Sequence, residues 1–287
     1  MKKLLFLTLV CSVLAASCEK DYTGDVGEFL TDIEFRKACY DRYDTDNDGK
    51  LSVQEVRDVK SILVNGSGVE TPYLPKALVC KSYEIGGLSW FSELEDFSYS
   101  GKFVKEFDFS NNSKLKKLSI YGGTDLVKLV YPGQCIIEDL SFHSKSMADI
   151  VIPASVVNLD LYASNIGSLE FGKNASISKF SGQLSGSNMT DLVLPDGLKV
   201  IGSYLVYGME RLKSVRIPSS IESIGENAFY NCPGLQQVII DAATPPKADA
   251  AFNYGPEGSD YLIYVPELSL PAYLNAWPQY ASRLRGK

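Results

Sequence analysis

The sequence predicts a mostly β fold with short helices, in which about seven coils of a solenoid follow a helix–loop–helix segment. Two observations predict the solenoid. Short apolar ribs with the alternation of a β-strand recur from residue 94 onward, and their central residues step by about twenty residues. A third observation predicts the helical part, because residues 28–65 hold an acidic loop between two stretches with helical apolar spacing. The expected class is therefore α+β, with strands dominant.

The first residues have the layout of an export signal. Two lysines precede an apolar run that ends in Leu14-Ala-Ala-Ser-Cys18. This ending resembles the lipobox of bacterial lipoproteins, which implies cleavage before Cys18 and lipid on its sulfur. Glu19-Lys20-Asp21 resembles the acidic tag of surface-exposed lipoproteins. We expect a signal peptide at 1–17, a tether at 18–27 and a membrane-anchored lipoprotein of the outer membrane or cell surface; an ordinary secretory peptide is the alternative.

A twelve-residue stretch that begins at Asp44 fills every position of a calcium-binding loop with a suitable residue. Carboxylates stand at positions one, three and five, and a main-chain carbonyl is available at seven. A hydroxyl at nine can hold a bridging water, and a carboxylate at twelve can bind with both oxygens. Gly49 at position six permits the sharp turn. The candidate ligands of Ca²⁺ are Asp44, Asp46, Asp48, Lys50, Ser52 and Glu55.

The flanks of this loop predict two helices and hence an EF-hand at 28–65. Apolar residues at helical spacing stand before it at Phe29, Leu30, Ile33, Ala38 and Tyr40, and after it at Val53, Val56, Val59 and Ile62. An acidic surface turn that binds nothing is the alternative. Only one such loop occurs in the sequence. A lone hand fits a structural clip better than a sensor, since sensor domains usually pair two hands.

The charge balance argues against a nucleic-acid partner. The formal charge is −7, and it becomes −9 without residues 1–17, which carry two lysines. An acidic chain of this kind repels polyanions. Catalysis is not indicated either, because the single histidine, His143, follows Phe142 at a predicted strand end and no carboxylate pair or phosphate-binding loop stands out. We therefore expect no enzyme.

Four cysteines remain once the signal peptide and Cys18 are set aside. They are widely spaced and form no C-x-x-C pair, so they do not predict a disulfide framework. An oxidising compartment leaves a bridge between Cys39 and Cys80 open. Cys135 and Cys232 are expected to be small buried hydrophobic residues.

The repeated pattern from residue 94 is apolar-x-x-apolar-x-apolar, first seen in Leu94-x-x-Phe97-x-Tyr99. The central residues divide into two interleaved series, which predict strands on two facing sides of each coil. One series is Phe97, Leu118, Leu140, Leu159, Phe180, Ile201 and Ile224. The other is Phe107, Leu129, Ile150, Leu169, Leu192, Val215 and Val238. Such steps lie in the leucine-rich-repeat range, so we expect a leucine-rich-repeat solenoid at 94–243.

Residues 212–235 resemble the BspA-like leucine-rich repeat of bacterial surface proteins. The resemblance rests on Leu212-Lys-Ser-Val-Arg-Ile217-Pro218, Ile224-Gly225 and Ala228-Phe229. Residues 192–202 are a second copy, slightly degraded. Between residues 94 and 190 the coils are irregular, so the repeat type there stays open.

The segments on either side of the solenoid are expected to be caps. Residues 66–93 are predicted to be a connector and amino-terminal cap. Thr244-Pro-Pro246 and the residues after it resemble the carboxy-terminal finish of the same family, which implies a cap at 244–287. Ser269 is expected to cap a final helix that begins at Pro271.

This resemblance implies interaction at a cell surface without naming a ligand. Exposed rings such as Tyr204 and Tyr207 are candidates for stacking on sugars. The expected function is a calcium-binding, lipid-anchored, non-catalytic interaction or adhesion module for a protein or glycan. The alternatives are calcium sensing and a dockerin-like or accessory component of a secreted glycan-degrading enzyme system.

Overall fold

The computed structural model describes residues 23–68, 76–81, 83–122, 126–248, 250–253 and 261–287. The expected signal peptide, Cys18 and the first part of the tether lie outside these residues. Within the described ranges, no helix is both long enough and apolar enough to cross a membrane. The chain divides into two compact units. Unit 1 comprises residues 1–117 and 128–136, and unit 2 comprises residues 118–127 and 137–287.

Two short helices flank the acidic loop in unit 1. A 3₁₀ turn at Val26–Phe29 precedes helix α1, Ile33–Tyr43. Asp32 caps α1, because its Oδ1 accepts a hydrogen bond of 2.8 Å from the Phe35 amide, one of the donors that a helix start leaves without an internal partner. Helix α2, Val53–Arg57, begins with a capping box. The loop therefore runs from the carboxy-terminal end of α1 to the capped amino terminus of α2.

The apolar faces of these helices differ from the predicted ones. On α1 the buried residues are Phe35 and Cys39, one turn apart, whereas Ile33 is 75% exposed. The second helix ends at Arg57, and Ile62 lies in a strand instead. Ile62 and Val64 are buried at the two-residue spacing of a strand, and pairing with the neighbouring strands fixes this conformation.

The strands of unit 1 begin earlier than expected, at residue 61 rather than 94. Strand β1, Ser61–Asn65, lies between β2, Leu78–Val79, and β3, Asp96–Ser100, and both pairings are parallel. A second parallel pair joins β4, Glu106–Asp108, to β6, Lys128–Val130. The chain therefore passes directly from the helix–loop–helix into the sheet.

The parallel strands of unit 2 lie on two faces, and successive strands from β7 to β16 alternate between these faces. The first face has the order β15-β13-β11-β9-β7-β5. These strands are β5 (Lys117–Tyr121), β7 (Asp139–Ser144), β9 (Asn158–Ser164), β11 (Lys179–Ser185), β13 (Val200–Ile201) and β15 (Ser223–Ile224).

The second face of unit 2 is divided into two sheets, β10-β8 and β12-β14-β16-β17-β18. Its strands are β8 (Asp149–Ile152), β10 (Ser168–Phe171), β12 (Asp191–Val193), β14 (Ser214–Ile217), β16 (Gln237–Ile240), β17 (Leu262–Val265) and β18 (Leu284–Gly286). The break between the two sheets falls at about the end of the irregular coils of the sequence.

The predicted mostly β solenoid with short helices is confirmed, and its register is the predicted one. On the first face Leu159 lies opposite both Leu140 and Phe180, and on the second face Val215 lies opposite Leu192 and Val238. Counted over the described residues, unit 1 has three such strands, β1 to β3, and the first face of unit 2 has six, which gives about nine turns rather than about seven.

One glycine is required by this stacking. Gly182 in β11 has φ +104°, and a Cβ there would lie 2.2 Å from the carbonyl oxygen of Leu161 on the neighbouring strand. Any side chain would therefore push β9 and β11 apart.

The carboxy-terminal cap of unit 2 is aromatic. Helix α3, Leu270–Ala276, follows a 3₁₀ turn and places Tyr273 in the core. Ser269 precedes α3 as predicted, but its side chain makes no capping hydrogen bond, and Pro271 is the second residue of the helix rather than the first. Trp277 is buried, and its indole N–H donates to the carbonyl of Pro246 at 3.2 Å.

Candidate metal loop and aromatic faces

The acidic loop gathers three carboxylates. One oxygen each of Asp44, Asp46 and Asp48 lies within 4.8 Å of the others. Asp44 is the residue after α1, and Ser52 is the residue before α2, so the two helix ends fix the two ends of the loop. The sequence predicted this convergence from spacing alone.

Hydrogen bonds within the loop hold its turn. The Asp44 carboxylate accepts from the Gly49 amide at 3.0 Å, and Oδ1 of Asp48 accepts from the Lys50 amide at 2.8 Å. Gly49 has φ +80° with open space where a Cβ would lie, so backbone strain alone makes glycine the suitable residue there. Hydrogen bonds from the loop backbone, rather than burial, thus orient the carboxylates of the loop.

Glu55 closes the loop through both of its carboxylate oxygens. Oε1 accepts from the amide and hydroxyl of Thr45, at 2.6 and 2.9 Å, and Oε2 accepts from the amide and hydroxyl of Ser52, at 2.9 and 3.0 Å. Burial raises the pKa of Glu55, but these four bonds outweigh it and lower the pKa to about 2. The carboxylate is therefore ionised at neutral pH and faces both ends of the loop.

The donor set fits a hard cation. All six candidate ligands offer oxygen: side-chain oxygens of Asp44, Asp46, Asp48, Ser52 and Glu55, and the carbonyl of Lys50. Calcium takes six to eight such oxygens, whereas zinc sites are built from sulfur and nitrogen as well. The convergence of three carboxylates within 4.8 Å is the observation that makes these residues suitable for the ion.

A segment ahead of α1 pairs with the loop, which the sequence motif does not reveal. The Val26 amide donates to the carbonyl of Leu51 at 2.8 Å, and the Leu51 amide donates to Oδ1 of Asp25 at 3.0 Å. Asp25 also accepts from the Gly27 amide and from the Tyr40 hydroxyl. Burial raises the pKa of Asp25, but these hydrogen bonds outweigh it and lower that pKa.

This pairing satisfies the main-chain hydrogen-bonding groups of one residue of the loop. Leu51, at loop position eight, is fully buried, and both its amide and its carbonyl are satisfied by residues 25 and 26. Asp25 lies outside the twelve-residue motif, so motif spacing could not identify it. Its position just before a helical turn is the only sequence feature that singles it out.

The helix–loop–helix is continuous with the strands of unit 1. The Glu93 amide donates to the Arg57 carbonyl at 3.3 Å, and the ring of Tyr43 packs edge-on against Phe91 at 5.9 Å. Trp90 contacts Phe29 with ring centroids 5.0 Å apart. Order in the loop is therefore coupled to the first strands through direct contacts.

A row of rings crosses the first face of unit 2. His143 lies between Tyr121 and Tyr162, with ring centroids 5.3 and 4.6 Å away. Burial lowers the pKa of His143, and the nearby charge of Asp160 opposes this only in part. His143 lies near the end of β7 and is part of an aromatic row, in which tyrosine rings flank its imidazole on both sides.

The sequence-predicted rings Tyr204 and Tyr207 do come together, joined by Tyr230. The rings of Tyr207 and Tyr230 stack at 5.9 Å with an interplanar angle of 7°. Tyr204 is 43% exposed, and its hydroxyl accepts from the Asn227 side chain at 2.9 Å. Tyr230 was missed because it belongs to the next repeat.

Comparison with known proteins identifies the repeat in this part of the chain. Residues 181–257 match the BspA type Leucine rich repeat region, in six copies. The Tyr204, Tyr207 and Tyr230 cluster lies within these BspA type repeats. The row of Tyr121, His143 and Tyr162 precedes them, in the irregular coils.

Two solved bacterial structures are similar to the chain. A leucine-rich repeat protein from Eubacterium ventriosum is 18% identical, with a TM-score of 0.25 over 64% of this chain and 63% of its own. One from Bacteroides ovatus is 14% identical, with a TM-score of 0.21 over 78% of this chain and 73% of its own. This chain thus spans less than two thirds of the length of the first. No curated protein matches it in sequence.

The cysteines are packing residues where the structure describes them. No disulfide joins Cys39 to Cys80, and burial raises the pKa of the Cys39 thiol, which makes it unreactive. Cys232, inside the BspA type repeats, is buried as expected, and burial raises its pKa to about 11. Cys135 is only partly buried, in contrast to the prediction.

Proposed function

We propose that this protein is a calcium-binding, lipid-anchored surface protein whose leucine-rich solenoid acts as a non-catalytic interaction module. In this proposal residues 1–17 direct export and Cys18 carries the lipid. The match to BspA type repeats supports the interaction role, because stacked repeats present extended faces for a partner. The partner is a protein or glycan at the cell surface.

The convergence of Asp44, Asp46 and Asp48 carries the calcium part of the proposal. When bound, calcium supplies a divalent charge that offsets the mutual repulsion of these carboxylates and of Glu55. The loop joins α1 to α2, and α2 leads directly into β1. The ion would therefore stabilise the start of the solenoid rather than trigger a large movement.

A dockerin-like role in an enzyme assembly is less well supported. The sequence holds a single acidic loop of this kind, and the main chain of Leu51 in that loop is already bonded to Asp25 and Val26. A catalytic role is not favoured either, because His143 lies between two tyrosine rings. Leucine-rich repeats with these features fit a binding module better than an enzyme.

The calcium proposal is tested by unfolding the mature chain, as a Cys18→Ser variant, in chelator and in millimolar calcium. An extracellular-type site binds with a Kd on the order of 10⁻⁴ to 10⁻³ M. Calcium at a few times Kd should then raise the free energy of unfolding of unit 1 by about 1 kcal/mol. Trp90 lies in unit 1 and Trp277 in unit 2, so a Trp277→Phe background makes fluorescence report unit 1 alone.

Glu55→Gln is the sharpest variant for this test, because glutamine can keep the capping box while it removes the charge. We expect lower stability in chelator, because the glutamine amide nitrogen cannot accept the two hydrogen bonds that Thr45 donates, and no response to calcium. Asp41→Asn, an exposed acid on α1 outside the loop, is the matched control and should respond like the wild type. Equal calcium responses in all three proteins would refute the site.

The anchor is tested separately in cells. Cys18→Ser should move the protein from the membrane fraction to the soluble fraction, while a Cys232→Ser control should stay with the membranes. Retention of Cys18→Ser on membranes would refute lipid anchoring at this residue.

A further inference from the structure

The outward side chains of β5, β7, β9 and β11 form two neighbouring rows on the first face of unit 2. The first row contains Tyr121, His143, Tyr162 and Gln183. The second contains Ser141, Asp160 and Ser181. Strand pairing fixes both rows, since Tyr162 lies opposite His143 and Gln183, and Asp160 lies opposite Ser141 and Ser181. We call these seven residues the polar–aromatic strip.

The rings of the strip are presented to solvent but held in place. Tyr121 and Tyr162 are 40% and 43% exposed. Tyr121 is fixed by its edge-on contact with His143 and by the Ser141 hydroxyl, which lies 3.1 Å from the tyrosine hydroxyl. Because the rings are already ordered, a ligand that stacks on them loses little side-chain entropy.

The second row gives the strip a charged acceptor. The Asp160 carboxylate accepts hydrogen bonds from Ser181 at 2.9 Å and from Ser141 at 3.3 Å. A carboxylate has about four acceptor positions, so lone pairs remain for donors of a ligand. Gln183 adds both a donor and an acceptor one strand further on.

A shallow cleft of about 190 Å³ lies along the strip, lined by His143, Tyr162 and Gln183 among others. Enclosed ligand sites hold roughly 300–1,000 Å³, so this cleft takes one part of a longer ligand. Ser185, which also lines this cleft, lies opposite Tyr207 of the BspA type repeats, because a bridge pairs Leu184 with Val206. Tyr207 in turn stacks on Tyr230.

These features match a chain of sugars. The C–H face of a pyranose packs on an aromatic ring, and its hydroxyls donate to a carboxylate and exchange hydrogen bonds with an amide. Strands lie about 4.8 Å apart, a spacing comparable to one sugar unit, so successive sugars can meet successive strands. We propose that the polar–aromatic strip binds a neutral polysaccharide laid across the strands of unit 2. This inference rests on the proposed interaction function and names its ligand and site.

Charge decides in favour of a neutral glycan over an acidic one. Asp160 stands in the middle of the strip, and the whole chain carries a formal charge of −7. Lys145 lines the cleft and supplies one positive charge, but the Asp160 carboxylate offsets it and the acidic balance of the chain disfavours a polyuronate.

The test is affinity electrophoresis and calorimetry of the mature chain, as the Cys18→Ser variant, with a soluble β-glucan, a mannan and polygalacturonate. We expect binding to a neutral polymer and none to polygalacturonate. Tyr162→Ala should weaken binding by about tenfold, the effect of one lost aromatic contact, whereas Tyr162→Phe should retain most of it. Asp160→Asn should weaken binding of the neutral polymer as well.

Tyr83→Ala is the matched control, since Tyr83 is 60% exposed but belongs to unit 1. Gln183→Ala, which removes only an amide, gives a second variant in case Tyr162→Ala is unstable. Binding that is equal in all variants would overturn the site, and no binding to any neutral polymer, or a preference for polygalacturonate, would overturn the ligand. None of these outcomes affects the calcium or membrane tests, so the proposed function can stand if this inference fails.

Discussion

Different interactions stabilise the helix–loop–helix of unit 1 and the aromatic cap of unit 2. The loop depends on exposed carboxylates that accept hydrogen bonds from its own backbone. The cap depends on buried rings, in which Phe252 contacts Phe229, Trp277 and Tyr280 at 5.4 Å each. The stability of the loop should therefore depend on ions and pH, whereas the stability of the cap should not.

The largest expected effect is the loss of a ring from the cap. Phe252 is fully buried, so Phe252→Ala should lower the free energy of unfolding of unit 2 by about 3–5 kcal/mol. Denaturant unfolding followed by Trp277 fluorescence in a Trp90→Phe background measures it. Leu268→Ala is the control, because Leu268 is 97% exposed in the same cap and should change stability little. Similar losses in both variants would contradict the packing argument.

Lowering the pH should reduce stability by a smaller amount, and this loss should be confined to the loop. The pKa of Glu55 falls from 4.5 to about 2 in the folded chain. A lowered folded-state pKa means that the stabilisation is complete above pH 4.5 and is lost as the pH falls toward 2. In chelator, unfolding followed by Trp90 should show this loss, and Glu55→Gln should lack it.

The signal of Trp277 over the same acid range gives the comparison. The described contacts of Phe252 and Trp277 are ring contacts and hydrogen bonds to a hydroxyl and a carbonyl, which do not titrate in this range, so the cap should keep its stability to lower pH than the loop. If both tryptophans report the same midpoint, the two regions do not differ in the way we infer.

The smallest effect is expected from a surface ion pair of unit 2. Arg216 pairs with Asp241 through two hydrogen bonds of 2.6 and 3.1 Å, but both side chains are well exposed to solvent. Arg216→Ala should therefore cost about 0–1 kcal/mol, and less at high salt. A cost that approaches that of Phe252→Ala would show that charge matters as much in unit 2 as in the loop.

The register of the solenoid could be predicted from sequence because stacking demands it. The predicted anchors Leu192, Val215 and Val238 lie directly opposite one another, since a slip of one residue would turn each apolar side chain to solvent. The loop could be predicted for a related reason, because its backbone turn admits few residues at Gly49. Both patterns are local and repeat a fixed geometry.

The remaining features depend on contacts between distant residues. Ile62 fits a helix or a strand until β3 is placed beside it. Asp25 lies 26 residues from Leu51, and no motif links them. The row of Tyr121, His143 and Tyr162 was visible in principle, because each ring follows the last apolar residue of a rib. The sequence prediction rested on the inward, apolar positions of the repeat, so it did not identify this row of outward rings.

The bonds from residues 25 and 26 to Leu51 also have a mechanical consequence. Tension that enters the chain ahead of Asp25 would load Leu51 before it reaches α1, because this segment is tied across to the acidic loop. Pulling would thus first break the hydrogen bonds between residues 25–26 and Leu51 and detach this segment from the loop. A cation that stiffens the loop would raise the force at which this detachment occurs, and a membrane tether would then be fastened most firmly where calcium is plentiful.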